Sequence, residues 1–311
     1  MERERYDMII IGAGPAGLTA GLYCGRSRLK TLILEAVIPG GTLTKTEKIE
    51  DYPGFEEITG QQLAARMEGQ TRKFGAEIKS ESVVKVLWEA KTKLVKTEEA
   101  EYEAGAVIIA AGGWPKQLNV PGEQELTGRG CSYCALCDGP FFQDQEITVI
   151  GGGDSAVEEA IFLTKYASKV TIIHRRDTFR AQKAIQEKAF QNPKIEVLWN
   201  TVVEEIQGED GVEALVLKNV RSGERKKLDV KGVFIFIGFV PNQVKGMHPN
   251  HDKGGFLVAD ERMETSCPGI FAVGDIRSQP VRQITNATGD GTVAAVMAEE
   301  YLEEHNLRVK S

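Results

Sequence analysis

The residues best placed to do chemistry are Cys134-Ala135-Leu136-Cys137-Asp138. Two cysteines with two residues between them lie close enough to exchange a disulfide for a dithiol. Such spacing can also lower a thiol pKa, and the thiolate is the reacting form. Asp138 follows at once and is placed to hand protons to or from the pair. Taken alone, the same spacing is half of a zinc site. Cys131 extends the run to C-x2-C-x2-C, but the fourth ligand of an iron–sulfur run would fall at Phe141, so that pattern fails. Cys131 is expected to fill an apolar site, Cys24 to lie in a helix core and Cys267 to be structural. His248 and His251 have only weak metal spacing, and no metal site is expected.

What sharpens the reading is a dinucleotide-type turn on each side of the cysteines. Upstream, the apolar run Met8-Ile9-Ile10-Ile11 reads as a buried parallel strand. It opens into Gly12-Ala13-Gly14-Pro15-Ala16-Gly17 and a helix through Arg26. Glycine is wanted there for the tight turn, for backbone approach to a pyrophosphate and for close helix–strand packing. The free N–H groups of the helix N-terminus then face the phosphates. A second strand, Thr31 to Leu34, ends at Glu35, 23 residues after Gly12, where an acid accepts hydrogen bonds from ribose hydroxyls.

Downstream, the strand Ile147 to Ile150 opens into Gly151-Gly152-Gly153-Asp154-Ser155-Ala156 and a helix to about Tyr166. The next strand, Val170 to Ile173, ends at His174, again 23 residues after the first glycine. Here Arg175 and Arg176 follow, with Arg180 one helical turn beyond. Arginines bind a 2'-phosphate with charge-assisted hydrogen bonds where a carboxylate would repel it, so this nucleotide is expected to be NADPH.

The remaining elements must position these turns. Gly40 to Leu43 and Asp51 to Gly54 read as surface loops. Gln61 to Phe74 is spaced as an amphipathic helix. Val83 to Leu87 and Ala106 to Ala110 read as strands, the second running into Ala111-Gly112-Gly113-Trp114-Pro115, where the chain leaves a first domain. Leu118 to Glu123 reads as a linker. Ile195 to Trp199, Val212 to Lys218 and Val233 to Ile237 read as strands. Gly238 to Asn242 then repeats the glycine-then-proline exit. Gly269 to Asp275 reads as a strand ending at an acid, placed for a ligand in the crevice of an open sheet. Arg282-Gln283 and a turn at Gly289-Asp290-Gly291 lead to a closing helix, Val293 to Glu303.

The chain has 311 residues, enough for two domains, and a net charge of -7, which argues against nucleic acid or an anionic membrane as partner. Its five cysteines, an odd number, are not spaced as a secreted disulfide framework, so a reducing cytoplasm is expected. Met8 to Gly25 is uncharged, but its glycines and Pro15 read as a turn. Met1 to Asp7 mixes Arg3 and Arg5 with Glu2, Glu4 and Asp7, unlike a signal peptide. Neither a membrane anchor nor a signal is expected.

These residues resemble the low-molecular-weight, two-domain thioredoxin reductases, over essentially the whole chain. Ser132-Tyr-Cys-Ala-Leu-Cys-Asp-Gly139 and His174-Arg-Arg-Asp-Thr-Phe-Arg180 are the most specific segments. The resemblance implies an α/β fold of two Rossmann-like, three-layer domains, the second inserted into the first. An FAD domain would span 1–117 and 245–311, and an NADPH domain carrying the redox pair would span 118–244. FAD would be contacted by Gly12, Gly14, Ala16, Glu35, Gly41, Thr42, Leu43, Asp51, Ala111, Gly112, Gly274, Asp275, Arg282, Gln283 and Ile284. NADPH would be contacted by Gly153, Asp154, Ser155, His174, Arg175, Arg176 and Arg180. Thr42, Asp51 and Ala111 depart from the family's Gln, Asn and Thr.

The resemblance further implies a homodimer whose inserted domain rotates between two orientations. By the same resemblance, NADPH would pass a hydride to FAD, the reduced flavin would split the Cys134–Cys137 disulfide, and the resulting dithiol would reduce thioredoxin. Cys137 would face the flavin, Cys134 would attack thioredoxin, and Asp138 would act as acid or base. Two other functions stay open: a related flavoprotein serving another disulfide, and a zinc-binding nucleotide sensor using Cys131, Cys134 and Cys137.

Overall fold

A computed structural model describes residues 3–46, 49–88 and 91–309. Met1 and Glu2, part of the charged N-terminal stretch read above, lie outside them. The chain folds as two compact units, Met1–Trp114 with Val240–Ser311, and Pro115–Phe239.

In chain order the first unit contributes β1 (Glu4–Ile11), α1 (Pro15–Arg26), β2 (Thr31–Glu35), α2 (Gly60–Lys73), β3 (Glu77–Ser80), β4 (Val83–Leu87), β5 (Lys93–Thr97), β6 (Glu101–Ile109) and β7 (Gly113–Pro115). The second unit follows with β8 (Cys131–Ser132), α3 (Ala135–Asp138), β9 (Glu146–Gly151), α4 (Asp154–Leu163), β10 (Lys169–Ile173), α5 (Lys183–Gln191), β11 (Ile195–Leu198), β12 (Thr201–Gln207), β13 (Ala214–Asn219), β14 (Arg225–Asp229) and β15 (Gly232–Phe236). The chain then returns through β16 (Phe239–Pro241), β17 (Ile270–Ala272) and α6 (Ile284–Glu304). The segments β7 and β16, where it crosses, pair as a two-stranded ribbon, which accounts for the repeated glycine-then-proline pattern.

The first unit is built on the parallel order β3-β2-β1-β6, with β17 also parallel on β6 and β5-β4 antiparallel beyond it. Residues 8–11 of β1 are all buried because both faces of the sheet are covered. Met8 and Ile10 pack with α1 and α6, whereas Ile9 and Ile11 pack with Val86, Val95, Met247 and Leu257. Each such side chain contributes about 1.5–3 kcal/mol of transfer free energy. A capping box at Thr59 and Gln62 starts α2, ahead of its amphipathic face.

The second unit repeats the plan with an all-parallel sheet, β11-β10-β9-β15-β8. One face packs on α4 and α5, and the other on the antiparallel sheet β12-β13-β14. Each unit is thus three-layered, and the fold is the expected α/β one. That β12 and β14 pair with β13 was not legible, because β14 is largely exposed and reads as a charged loop.

Three expectations are corrected. Leu118–Glu123 is no slack linker: Glu123 is buried, and its carboxylate accepts from the backbone N–H of Leu118 at 2.8 Å and Asn119 at 2.6 Å. Gly289-Asp290-Gly291 is not a turn but lies inside α6, which begins nine residues earlier than the patterning suggested. A Cβ on Gly291 would meet the Ala16 carbonyl oxygen at 2.3 Å, so this glycine lets α6 lie directly on α1. Arg180 is not one helical turn past Arg176, since no helix spans 174–182.

Candidate redox and dinucleotide site

Cys134 and Cys137 are joined as a disulfide, with Cα atoms 5.3 Å apart. The pair sits where β8 gives way to the single turn α3, and both residues are half-buried. Ala135 and Phe142 anchor the turn in the core beneath α4. The Cys137 N–H donates to Cys134 Sγ at 3.1 Å, placing a donor where negative charge would appear on opening the bond. Asp138 is reached by the Ser132 hydroxyl, and its own N–H donates to the Cys134 carbonyl at 3.1 Å.

Cys131 lies in a different environment, in the apolar cluster of Leu126, Ile150 and Val233. Burial pushes its thiol up to about 12, with Glu123 adding to the effect. The neighbouring Tyr133 hydroxyl donates to Glu123 Oε1 at 2.7 Å. Burial foremost, then that carboxylate, pushes the phenol pKa up. Cys24 and Cys267 are buried and free.

In the first unit the glycine turn is a cradle. Gly12 has φ +101°, and a Cβ there would strike the Ala110 carbonyl. A Cβ on Gly17 would stand 1.9 Å from the Gly12 oxygen, yet one on Gly14 would meet nothing within 4 Å. A Cβ on Gly41 would stand 3.3 Å from Gly14 Cα, and one on Gly274 3.0 Å from Ala16 Cβ. The N-terminus of α1 has no side-chain cap and no acid in its first turn. Glu35 Oε2 accepts from the Ala13 N–H at 2.7 Å and Oε1 from Val37 N–H at 3.1 Å, leaving lone pairs for a ribose. An open anionic-group cradle beside a ribose acceptor fits the adenosine diphosphate portion of FAD.

The Gly274-Asp275 turn borders this cradle and is held by residues that sequence reasoning missed. Asp290 accepts from Gly274 N–H at 3.0 Å and from Arg277 Nε at 2.7 Å and Nη2 at 2.9 Å. Burial raises the Asp275 pKa against the opposing charge of Arg282. Asn242, also missed, donates to the Ala111 carbonyl at 2.6 Å, and its N–H donates to the Gly112 carbonyl at 3.0 Å. Arg282 stacks 4.2 Å over Phe256, just before Gln283 at the N-cap position of α6. Leu43 turns into a small core of Ile49, Ile58, Leu63 and Ala64, against which Ile284 packs. Thr42 and Asp51 are exposed, and among the described residues no hydrogen bond ties Asp51 to the cradle.

In the second unit Gly153 is likewise open: a Cβ there would find only Arg180 Nη2, at 4.0 Å. Arg180 N–H donates to the Gly152 carbonyl at 2.7 Å, and Gln182 N–H to Asp154 Oδ1 at 2.7 Å. These bonds pin the arginine loop over the turn, giving Asp154 a supporting place. Ser155 is exposed on the first turn of α4. The His174 ring is buried under the loop beside Phe179 and Trp199, its Nε2 3.1 Å from the Thr178 carbonyl. Burial lowers its pKa foremost, with Arg176 and Arg180 adding to the effect. The cationic surface therefore comes from Arg175, Arg176 and Arg180, which are exposed and, among the described residues, in no ion pair. This arrangement fits a 2'-phosphorylated dinucleotide.

Residues 6–291 match the family model described as pyridine nucleotide-disulphide oxidoreductase, the class to which the chain belongs. Thioredoxin reductase from Bacillus subtilis (strain 168) is 49% identical over 306 residues, covering 97% of this chain and 96% of the relative. Thioredoxin reductase from Peptoclostridium litorale is 50% identical over 308 residues, with 96% and 98% covered. The crystal structure of thioredoxin reductase from Streptococcus pyogenes MGAS5005 superposes with a TM-score of 0.93 at 48% identity, covering 97% of this chain and 100% of that one. The chain is a member of the thioredoxin reductase family.

Proposed function

We propose that this chain is an NADPH-dependent flavoprotein that reduces the disulfide of thioredoxin through the Cys134–Cys137 pair. The observation that carries the reading is the half-buried disulfide one turn from an acid, in the same unit as a glycine turn faced by exposed arginines. Bound FAD supplies a two-electron carrier between nicotinamide and disulfide. The cradle of Gly12, Gly14, Glu35 and Gly41 would hold its diphosphate and ribose. Arg175, Arg176 and Arg180 would hold the 2'-phosphate of NADPH.

Reduction converts Cys134–Cys137 to a dithiol. The Cys134 thiolate, beside the Cys137 N–H, attacks thioredoxin's disulfide; one S–S bond forms as the other breaks. Cys137 then attacks the mixed disulfide, restoring the Cys134–Cys137 bond and releasing dithiol thioredoxin. Asp138 gives up or accepts the exchanged protons. The three buried free thiols accord with a reducing cytoplasm. No helix among the described residues is long and apolar enough to cross a membrane. Homodimeric assembly, drawn from the family, is checked by sedimentation. The zinc reading loses two of its three sulfurs to the disulfide, so metal content is its discriminating assay.

The test is anaerobic NADPH oxidation by the purified yellow protein, with and without oxidised thioredoxin, beside Cys134→Ser. Turnover that requires thioredoxin and vanishes in the variant is expected. Flavin reduction without thioredoxin-dependent turnover would reassign the substrate to another disulfide.

A further inference from the structure

We propose that Ser132 is a positioning residue for thioredoxin reduction, fixing the Asp138 carboxylate beside the cysteine pair. Ser132 lies on β8, paired with Phe234 of β15 in the parallel sheet, and is only 4% exposed. Its Oγ accepts the Cys134 N–H at 3.1 Å. That bond by itself is a common local turn, in which a serine hydroxyl takes the N–H two residues on. What exceeds it is the destination of the hydroxyl proton. A hydroxyl has one proton to give, and here it is aimed at Asp138 Oδ2. The Cys134 carbonyl lies farther off, at 3.3 Å.

The Asp138 N–H in turn donates to the Cys134 carbonyl at 3.1 Å, closing a ring from Cys134 N–H through Ser132 to Asp138 and back. The acid therefore hangs from the sheet rather than only from α3, a single turn of four residues. This matters most in the dithiol state. When the S–S bond opens, the covalent clamp across α3 is gone, while the bonds from Ser132 need no disulfide. Thiol–disulfide exchange then finds its acid–base group already placed. A misplaced catalytic group loses rate without losing affinity.

The proposal deepens the thioredoxin reductase reading and rests on it. Ser132→Thr and Ser132→Val have nearly the same shape and suit a strand, but only threonine keeps the hydroxyl. With the FAD-loaded enzyme, Ser132→Val is expected to lower kcat for thioredoxin roughly tenfold, the weight of one hydrogen bond to a charged group, at little-changed KM. Ser132→Thr is expected to restore most of that rate. In an Asp138→Asn background, the valine is expected to cost little more, because the group that Ser132 positions can no longer exchange a proton. Ser132→Ala replaces valine in this comparison if the β-branched pair does not fold.

Equal kcat for the threonine and valine forms, or losses that multiply with Asp138→Asn, would overturn the assignment. A rise in KM with kcat unchanged would also overturn it, by making Ser132 part of a docking surface. Failure of the wild-type enzyme to reduce thioredoxin would instead overturn the reading on which the assignment rests.

Discussion

The two glycine turns share one plan and part company at two places. At the end of β2, Glu35 folds back on its own turn and accepts the Ala13 N–H. At the end of β10, His174 is buried as a spacer, and the adjoining loop offers Arg175, Arg176 and Arg180 instead. One scaffold thus presents a carboxylate and the other presents cations, which under the proposed function serve ribose hydroxyls and a 2'-phosphate. The second difference lies at the helix: Gly17 in the first turn has its counterpart in Ala156, which is buried without strain. In the first unit the helix comes so close that the Gly12 oxygen occupies the place a side chain would need.

Three variants sharpen or break that comparison. Gly17→Ala has the largest expected effect, because the obstacle is backbone and cannot rotate away. About 3 kcal/mol of stability should be lost, with much of the FAD, read by urea midpoint and by flavin content. An unchanged midpoint would mean that the helix can back off. Next comes Arg175→Ala with Arg176→Ala, which should lower kcat/KM for NADPH roughly 30-fold while leaving NADH little altered. Equal losses for both nucleotides would remove the 2'-phosphate assignment. Smallest is Ala156→Gly, expected to cost about 1–2 kcal/mol through backbone entropy and one lost buried methyl, read by thermal denaturation. A loss as large as that of Gly17→Ala would show that the turns are not related as described.

The strands, both turns and the redox pair were legible because each is written in residues close together in the chain. Met8–Ile11 is apolar throughout, so the strand is clear. Its extension upstream to Glu4 is not, because the half-polar residues there gain their place by pairing with Tyr102 and Glu103 across the sheet. The start of α6 was missed for a similar reason. Gly289 and Gly291 break helices in isolation, but here close packing on Ala16 and the Asp290–Arg277 ion pair favour the helix. The Leu118–Glu123 stretch carries linker composition, and only the buried Glu123 carboxylate shows why it is ordered.

The sequence by itself determined the chemistry. It placed a dithiol beside an acid, a carboxylate after one glycine turn and arginines after the other, since these depend on residue type and short spacing. Only the tertiary structure decided which side chains serve as supports. Leu43 went into a core, His174 went beneath its loop, Asp290 took hold of the Gly274-Asp275 turn, and Ser132 took hold of Asp138. The reason is physical. A turn or a redox pair is a local conformation, whereas burial and hydrogen-bond satisfaction are settled by every segment that packs around a group, most of them distant in the chain.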